Sequence, residues 1–320
     1  MDRPVVPGGL WDSAWKQLLV STYETAWHQR DDDGVVRPAP WAKAVAAHVA
    51  EARQLAAAAL AADAAAADEC AWSGDLDGDG EDEVVLANRA LFVVVSPRWG
   101  GRITLACDLL QPGGRVLVGN PADDWNWQEE PGRFMEQPRN HPGALADVGH
   151  ENDRHRVHAL RRTAGAVSLV LVNAQEGSPL WGVHKTLTLR REAQALEVAY
   201  DLPPHIEHLA VECALSPDYL RLLREGRPEL RRVFTASAAV RAFCAGQTTV
   251  WLRITPGDPV VWDRPEQPEC GHAAVVRVFS YGRRFRLHLG RGEPLAAEAP
   301  KQSPAVAAEP AKLVPAARAQ

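Results

Sequence analysis

The pattern of hydrophobic positions predicts helices in the first seventy residues. Trp11, Trp15, Leu18 and Leu19 are spaced three or four residues apart, which places them on one helical face that we expect to be buried. A segment rich in Asp, Gly and Pro follows, and an alanine-dominated stretch that begins at Trp41 then predicts a second, long helix. Together these segments predict a small helical bundle over residues 1–70.

After residue 70 the pattern becomes that of β-strands. Short runs rich in Val, Leu and Thr are divided by Gly and Pro turns. In Leu196–Leu202 every second residue is apolar, so this strand covers a core with one face only. Helical segments do not alternate with the strands, which favours a large antiparallel sandwich over residues 71–292. The predicted strands are 84–95, 102–109, 116–118, 167–172, 183–189, 196–202, 248–254, 274–280 and 285–289.

The predicted fold class is therefore α+β, with a small N-terminal helical bundle followed by the antiparallel β-sandwich. A short helix is expected at residues 217–224. The Ala- and Pro-rich tail at 293–320 has almost nothing large to bury and is expected to be disordered. Trp251 points away from Val250 and Leu252 in an alternating strand. This position predicts either a ligand-facing sheet surface or, as the favoured interpretation, burial beneath the helices.

Composition and charge narrow the classes of function. The 320 residues carry a net charge of −6 with both signs mixed, so no broad cationic surface is available for nucleic acid. There is no apolar run long enough for a membrane span, and residues 1–4 lack the order of an export signal, so a cytoplasmic location is expected. The five cysteines are far apart and form no Cys-x-x-Cys pair, which indicates reduced thiols. No organic cofactor motif is present.

Tryptophan is unusually frequent among the aromatic residues. The chain has 11 Trp against 6 Phe and 4 Tyr, although Phe and Leu are usually enough to fill a core. Flat indole rings can stack on the C–H face of a sugar. The excess therefore indicates either carbohydrate binding or simply large core residues.

An acidic turn precedes the first strand of the sandwich. Asp75, Asp77, Asp79 and Glu83 stand at positions 1, 3, 5 and 9 of a loop with Gly80 at position 6, which resembles the first part of a calcium-binding loop. Position 12 is Leu86, so the bidentate glutamate of a helix–loop–helix site is missing. Two interpretations follow: a calcium site formed by the four carboxylates, or an acidic turn stabilised by Asx-type hydrogen bonds.

A long irregular stretch over residues 123–155 is the second candidate site. Loops of this length are uncommon in compact domains unless they have a function. Indoles, imidazoles and carboxylates together suit a hydroxyl-rich ligand. The residues predicted to bind it are Trp125, Trp127, His141, Asp147, His150 and Glu151. The alternative is a structural loop whose histidines bond to the backbone.

Three segments together resemble glycoside hydrolase family 57, the α-amylase and 4-α-glucanotransferase relatives that act on α-glucans. The first is Leu18–His28 with Pro40–His48, the second is Asp75–Asn88, and the third is Asn140–Leu145. They look like the region that follows the catalytic barrel in that family. The resemblance implies a helical bundle followed by a sandwich similar to galactose mutarotase.

The same resemblance implies that the catalytic part is missing. Family enzymes carry a Glu nucleophile and an Asp acid/base in the barrel, whereas Met1 stands only about ten residues before the bundle. We therefore expect a protein that is not catalytic alone and that binds an α-glucan or supports a separate catalytic barrel protein. A mutarotase-type epimerase, with His150 and either Glu151 or Glu207 moving protons, is one alternative. A purely structural partner module is the other.

Overall fold

Antiparallel β-sheet dominates the protein, in a computed structural model that describes residues 6–24, 28–30, 32–38, 42–63, 69–119, 143–218, 230–235, 237–263, 267–269 and 273–294. The helices are α1 (Leu10–Glu24) and α2 (Ala42–Asp63). The strands are β1 (His28–Arg30), β2 (Val36–Pro38), β3 (Cys70–Gly74), β4 (Glu83–Ala87), β5 (Leu91–Ser96), β6 (Arg102–Asp108), β7 (Arg115–Val118), β8 (Ala144–Asp147), β9 (His155–Thr163), β10 (Ala166–Asn173), β11 (His184–Arg190), β12 (Ala195–Asp201), β13 (Leu209–Leu215), β14 (Arg231–Val233), β15 (Val240–Ala245), β16 (Thr248–Ile254), β17 (Val260–Trp262), β18 (Gln267–Glu269), β19 (Ala273–Ser280) and β20 (Arg284–Arg291).

Two large sheets face each other. The ten-stranded sheet has the order β17-β19-β13-β8-β6-β5-β4-β3, with β18 added beside β19 and β7 beside β6. The eight-stranded sheet has the order β14-β15-β16-β20-β12-β11-β10-β9, and β1 pairs only with β2. One apolar core fills the space between the sheets, with Val93 and Val211 from the first sheet and Leu169 and Leu187 from the second. The prediction that antiparallel strands dominate the chain is confirmed.

The two helices cover the outer face of the ten-stranded sheet. Leu10 of α1 and Leu55 of α2 pack with Val85, Phe92 and Leu105, which point away from the core between the sheets. Strands β4, β5 and β6 are therefore buried on both faces and appear in the sequence as continuous apolar runs. Strands β10, β11 and β12 expose their outer face and show strict alternation instead.

The prediction of a helical bundle is not confirmed, because the described residues contain only this pair of helices, packed on the sheet. The expected burial of the Trp15 face is also wrong: Trp15 is 56% exposed, and Leu19 is exposed as well. The buried stripe of α1 contains the small residues Ser13 and Ala14. Small residues allow close approach to the alanine-rich α2.

Two further predictions are revised by the strand assignments. Residues 144–147 form β8 and His155 begins β9, so the stretch 123–155 is not irregular throughout. Trp251 is buried on the outer face of the eight-stranded sheet beside Ala242, not beneath the helices.

Two predicted segments lie largely outside the described residues. The description stops at residue 218 within the predicted helix 217–224, and at residue 294 within the predicted tail 293–320. Neither α1 nor α2 is long and apolar enough to cross a membrane.

Candidate functional site

The predicted sugar-binding residues are only partly described. Trp125, Trp127 and His141 lie outside the described residues. His150 and Glu151 follow β8 in a partly exposed turn, where Gly149 N–H donates to Glu151 Oε1 at 2.7 Å. His150 Nδ1 lies 3.4 Å from Asp153 Oδ2. A role of this turn in binding sugar stays a prediction.

Asp147, by contrast, faces the interior. Its side chain is completely buried, and its Oδ2 lies 3.0 Å from the Nζ of Lys185, which is also completely buried. Asp147 belongs to β8 in the ten-stranded sheet and Lys185 to β11 in the eight-stranded sheet, so this pair joins the two sheets across the core. In this position the carboxylate does not face solvent.

Lys185 also holds two backbone carbonyls. Its Nζ donates to Gly100 O at 2.8 Å and to Leu145 O at 3.0 Å. The contact with Asp147 Oδ2 adds an ion pair, although both carboxylate oxygens of Asp147 lack a hydrogen-bond partner. The buried lysine therefore has two carbonyl acceptors and an opposite charge beside it, as a buried charge needs to be tolerated.

The backbone of Leu145 needs the hydrogen bond from Lys185, because Leu145 is a bulged residue. It has φ +65°, and it is an extra residue in β8, since Glu212 pairs with Ala146 and Cys213 with Ala144. A bulged residue leaves its N–H and C=O without partners in the ladder. Here the Leu145 N–H donates to Cys213 Sγ at 3.2 Å, while its C=O accepts from Lys185. Side chains from both sheets thus replace the missing backbone hydrogen bonds.

The electrostatics of this group follow from its burial. Burial raises the pKa of Asp147 and lowers the pKa of Lys185, and the attraction between the two charges opposes both effects. Burial and the neighbouring Lys185 lower the pKa of His155 to about 3. His155 Nε2 lies 3.9 Å from Asp147 Oδ2, but a neutral imidazole forms no salt bridge with it at neutral pH. Because these side chains are buried, we assign them a structural role, which is to hold the bulge at Leu145 in place.

The acidic turn brings three of its four predicted ligands together. One carboxylate oxygen each from Asp75, Asp77 and Glu83 lie within 4.8 Å of one another. Asp79 lies outside this triad, and its Oδ1 accepts from Glu81 N–H at 2.7 Å. Asx-type hydrogen bonds also form, since Gly78 N–H donates to Asp75 Oδ1 at 2.6 Å. Both predicted features of the turn, converging carboxylates and Asx bonds, are thus present together.

Glu83 is the buried member of the triad. Burial, with the charges of Asp77 and Asp79 as smaller causes, raises its pKa to about 8. Leu76 N–H donates to Glu83 Oε2 at 3.0 Å, while Oε1 is buried without a hydrogen-bond partner. Carboxylate oxygens in this arrangement suit a hard cation.

An open polar groove lies at one end of the eight-stranded sheet. His184, Asp201 and Arg284 stand opposite one another on adjacent strands, and Arg284 Nη2 lies 3.2 Å from Asp201 Oδ2. The groove has a volume of about 610 Å³ and is lined by Gly182, His184, Asp201, Leu202, Pro203, Pro204, Arg283 and Arg284. Trp181, which directly precedes Gly182, is 52% exposed.

Sequence reasoning missed both Lys185 and this groove. The signal for Lys185 was present, because it shares the inward positions of its strand with Val183 and Leu187. A lysine on an apolar strand face indicates a buried, paired charge. The groove gave no such signal, since its residues come from three separate parts of the sequence.

Comparisons with known proteins give weak structural likenesses. No protein-family model matches the chain, and no curated protein matches it. The 4-α-glucanotransferase of Thermococcus litoralis is similar with a TM-score of 0.43 and 13% identity, over 88% of this chain and 46% of that chain. A TPR-domain-containing protein of Parabacteroides distasonis has a TM-score of 0.44 and 9% identity, over 72% and 50% of the two chains. A heparinase III has a TM-score of 0.35 and 8% identity, over 71% and 35%.

The chain thus spans less than half of the glucanotransferase, which is an enzyme of the class that the sequence resemblance names. Two of the three neighbours carry the names of carbohydrate-active enzymes. Because all the TM-scores are below 0.5, these likenesses do not indicate an activity for this chain.

Proposed function

We propose that this protein binds an oligosaccharide of the α-glucan class in the groove beside Trp181 and does not cleave it alone. The open polar groove, together with the half-exposed indole of Trp181, which directly precedes the groove residue Gly182, is the observation that carries the proposal. A volume of about 610 Å³ falls in the range of small-ligand sites. The choice of an α-glucan rests on the resemblance to family 57, with its mutarotase-like sandwich.

The groove offers the side chains that sugar recognition uses. Asp201 can accept hydrogen bonds from hydroxyl groups, Arg283 and Arg284 can donate to them, and His184 can do either. An indole supplies a rigid apolar platform for the C–H face of a pyranose. This combination fixes the orientation of a neutral, hydroxyl-rich ligand without requiring a charged one.

The groove lacks the arrangement for glycosidic cleavage. Retaining cleavage needs two carboxyl groups about 5–5.5 Å apart, one of them with a raised pKa. Of the described residues that line the groove, Asp201 alone is a carboxylate. Any cleavage of a bound glucan would therefore come from a separate catalytic barrel protein acting on the same chain of sugars.

Titration with maltoheptaose, followed by Trp fluorescence and calorimetry, tests the proposal. We expect saturable binding that Trp181→Ala weakens at least about tenfold, a loss of about 1.4 kcal/mol. Trp72→Ala is the matched control, because Trp72 is also an exposed indole but lies on β3 of the other sheet. It should leave the affinity unchanged.

Three results would overturn the proposal in different ways. No response at millimolar sugar in a folded sample would end the claim of binding. Binding that survives Trp181→Ala and is lost in Trp125→Ala or Trp127→Ala would move the site to the loop predicted from the sequence. Release of reducing sugar by the purified chain would contradict the lack of catalysis.

A further inference from the structure

The acidic turn between β3 and β4 presents oxygens from three side chains to one point. Asp75, Asp77 and Glu83 each contribute a carboxylate oxygen, and these atoms lie within 4.8 Å of one another. Oxygens bound to the same calcium ion at about 2.3–2.6 Å can be at most about 5 Å apart. One ion can therefore reach all three side chains without a change in the backbone.

Glu83 provides a second and independent indication of a ligand. Its side chain is 1% exposed, and its Oε1 is buried without a hydrogen-bond partner. A buried carboxylate oxygen that is left without a partner costs free energy, and native structures normally avoid this cost. Glu83 also contributes a carboxylate oxygen to the triad, so its buried carboxyl group lies within reach of an ion bound there.

Two arginines form hydrogen bonds with the turn. Arg53 Nη2 of α2 donates to the backbone oxygen of Asp75 at 3.4 Å. Arg154 Nη2 donates to Glu81 Oε1 at 2.7 Å, and Glu81 is not part of the triad. Neither of these hydrogen bonds satisfies the buried Oε1 of Glu83.

We propose that Asp75, Asp77 and Glu83 bind one calcium ion. Three carboxylates with backbone oxygens from the same turn form a hard, oxygen-only ligand set, which calcium accepts in flexible geometry. Magnesium requires near-ideal octahedral geometry at shorter distances and loses its water reluctantly, so it should bind more weakly. Asp79 is not a ligand in this assignment.

The ion would fasten the helices to the sandwich. Leu76 lies inside the turn and is buried with Leu55 of α2 and Val85 of β4 in the core beneath the helices. Glu83 is the first residue of β4, and its Oε2 already holds Leu76 N–H. Binding of an ion to the folded turn therefore stabilises the segment that connects α2 to the sheet.

Calorimetry on the full chain, after treatment with EGTA, tests the proposal with calcium chloride as the probe. We expect one site with a dissociation constant of roughly 10⁻⁶–10⁻³ M, and weaker binding of magnesium. Saturating calcium should raise the melting temperature by several degrees (about 5 °C). Asp77→Asn and Glu83→Gln should each weaken binding at least about tenfold, because each removes a carboxyl ligand.

Glu81→Gln is the matched control, since it removes a carboxylate of the same turn from outside the triad. It should leave the calcium affinity within about twofold of the original value. An equal loss in Glu81→Gln and Asp77→Asn would show diffuse attraction of cations and would overturn the site. So would the absence of both heat and a melting shift at about 5 mM calcium in a folded sample.

If Glu83→Gln fails to fold, Asp77→Asn decides the outcome, because Asp77 is only partly buried. Binding of maltoheptaose is measured separately, so failure of the calcium site leaves the proposed function unaffected.

Discussion

Lys185 Nζ lies 3.0 Å from Asp147 Oδ2, and both side chains are completely buried where the two sheets face each other. A buried ion pair adds little stability over an apolar pair of the same size, because desolvation offsets the attraction. In this protein the pair also satisfies the backbone of the bulge at Leu145. Its role is therefore to fix the path of the β8 backbone at the bulge.

Lys185→Met should destabilise the protein strongly. The substitution leaves the Asp147 carboxylate buried without its cation and removes the hydrogen bonds to Gly100 O and Leu145 O. Loss of one partner of a buried pair costs about 3–5 kcal/mol. Urea denaturation measures the free energy of unfolding, and Lys185→Met/Asp147→Leu should regain part of the loss.

Arg284→Met is the control for this prediction, because it breaks an exposed ion pair with Asp201. It should cost less than about 1 kcal/mol. If Lys185→Met costs as little as Arg284→Met, the buried pair does not hold the bulge.

The His155 imidazole should remain neutral down to low pH. Its pKa is about 3 in the folded protein against 6.5 without the fold. Between these values the unfolded chain binds a proton that the folded chain does not, so the contribution to stability is complete above pH 6.5. It is lost as the pH falls towards 3, by about 1.4 kcal/mol per pH unit.

NMR of the ring nitrogens checks this prediction, with His155→Gln used to assign the signals. The His155 signals should not move between pH 8 and pH 5. A titration midpoint near 6.5 would show that the imidazole is not desolvated as described.

The sequence predicts strands of both kinds, those buried on both faces, such as β6, and those with one solvated face, but it does not predict every strand. Alternation identified the strands around Leu196 and Phe285, because their outer faces meet water and their inner faces meet the core. It did not identify β8, whose four residues include the bulged Leu145, or β9, where nearly all side chains are exposed. A bulge breaks the period of two, and a strand exposed on both faces has no apolar face to detect.

The candidate sites also differ in how far the sequence predicts them. The acidic turn is local in sequence, so its spacing predicted the convergence of Asp75, Asp77 and Glu83. Asp147 was predicted to face a ligand because it stands among polar residues, but its β8 position turns it towards Lys185. The groove at His184 and Arg284 depends on pairing between distant strands, which a single sequence does not specify.

Gly290→Ala should destabilise the eight-stranded sheet. The Trp251 ring lies directly on Gly290, so an added Cβ would overlap Trp251 Cζ2. The ring cannot move easily, because Trp251 Nε1 donates to Arg291 O at 3.1 Å. Overpacking of this kind costs about 1–3 kcal/mol.

Gly74→Ala provides the comparison, since Gly74 is also a strand glycine beside an indole. Its added Cβ would be 3.6 Å from Trp72 Cζ3, an ordinary contact. The melting temperature should fall for Gly290→Ala and stay level or rise slightly for Gly74→Ala, because alanine restricts the unfolded chain. Equal effects of the two substitutions would contradict the close contact with Trp251.

The carboxyl group of Glu69 should titrate far below its usual range because of Arg191. Arg191 Nε donates to Glu69 Oε2 at 2.7 Å, and Gly165 N–H donates to Oε1 at 2.8 Å. The hydrogen bond from Arg191 is the main cause that lowers the pKa of Glu69 from 4.5 to about 2. The folded pKa lies below the unfolded one, so the contribution of Glu69 to the free energy of unfolding is present above pH 4.5 and is lost as the pH falls from 4.5 to 2.

Carboxyl NMR measures the titration midpoint of Glu69. It should be low in the original protein, higher in Arg191→Gln, and unchanged in Arg89→Gln, which breaks an exposed pair with Glu192. A midpoint that stays low in Arg191→Gln would assign the shift to the Gly165 N–H instead, since that donor remains.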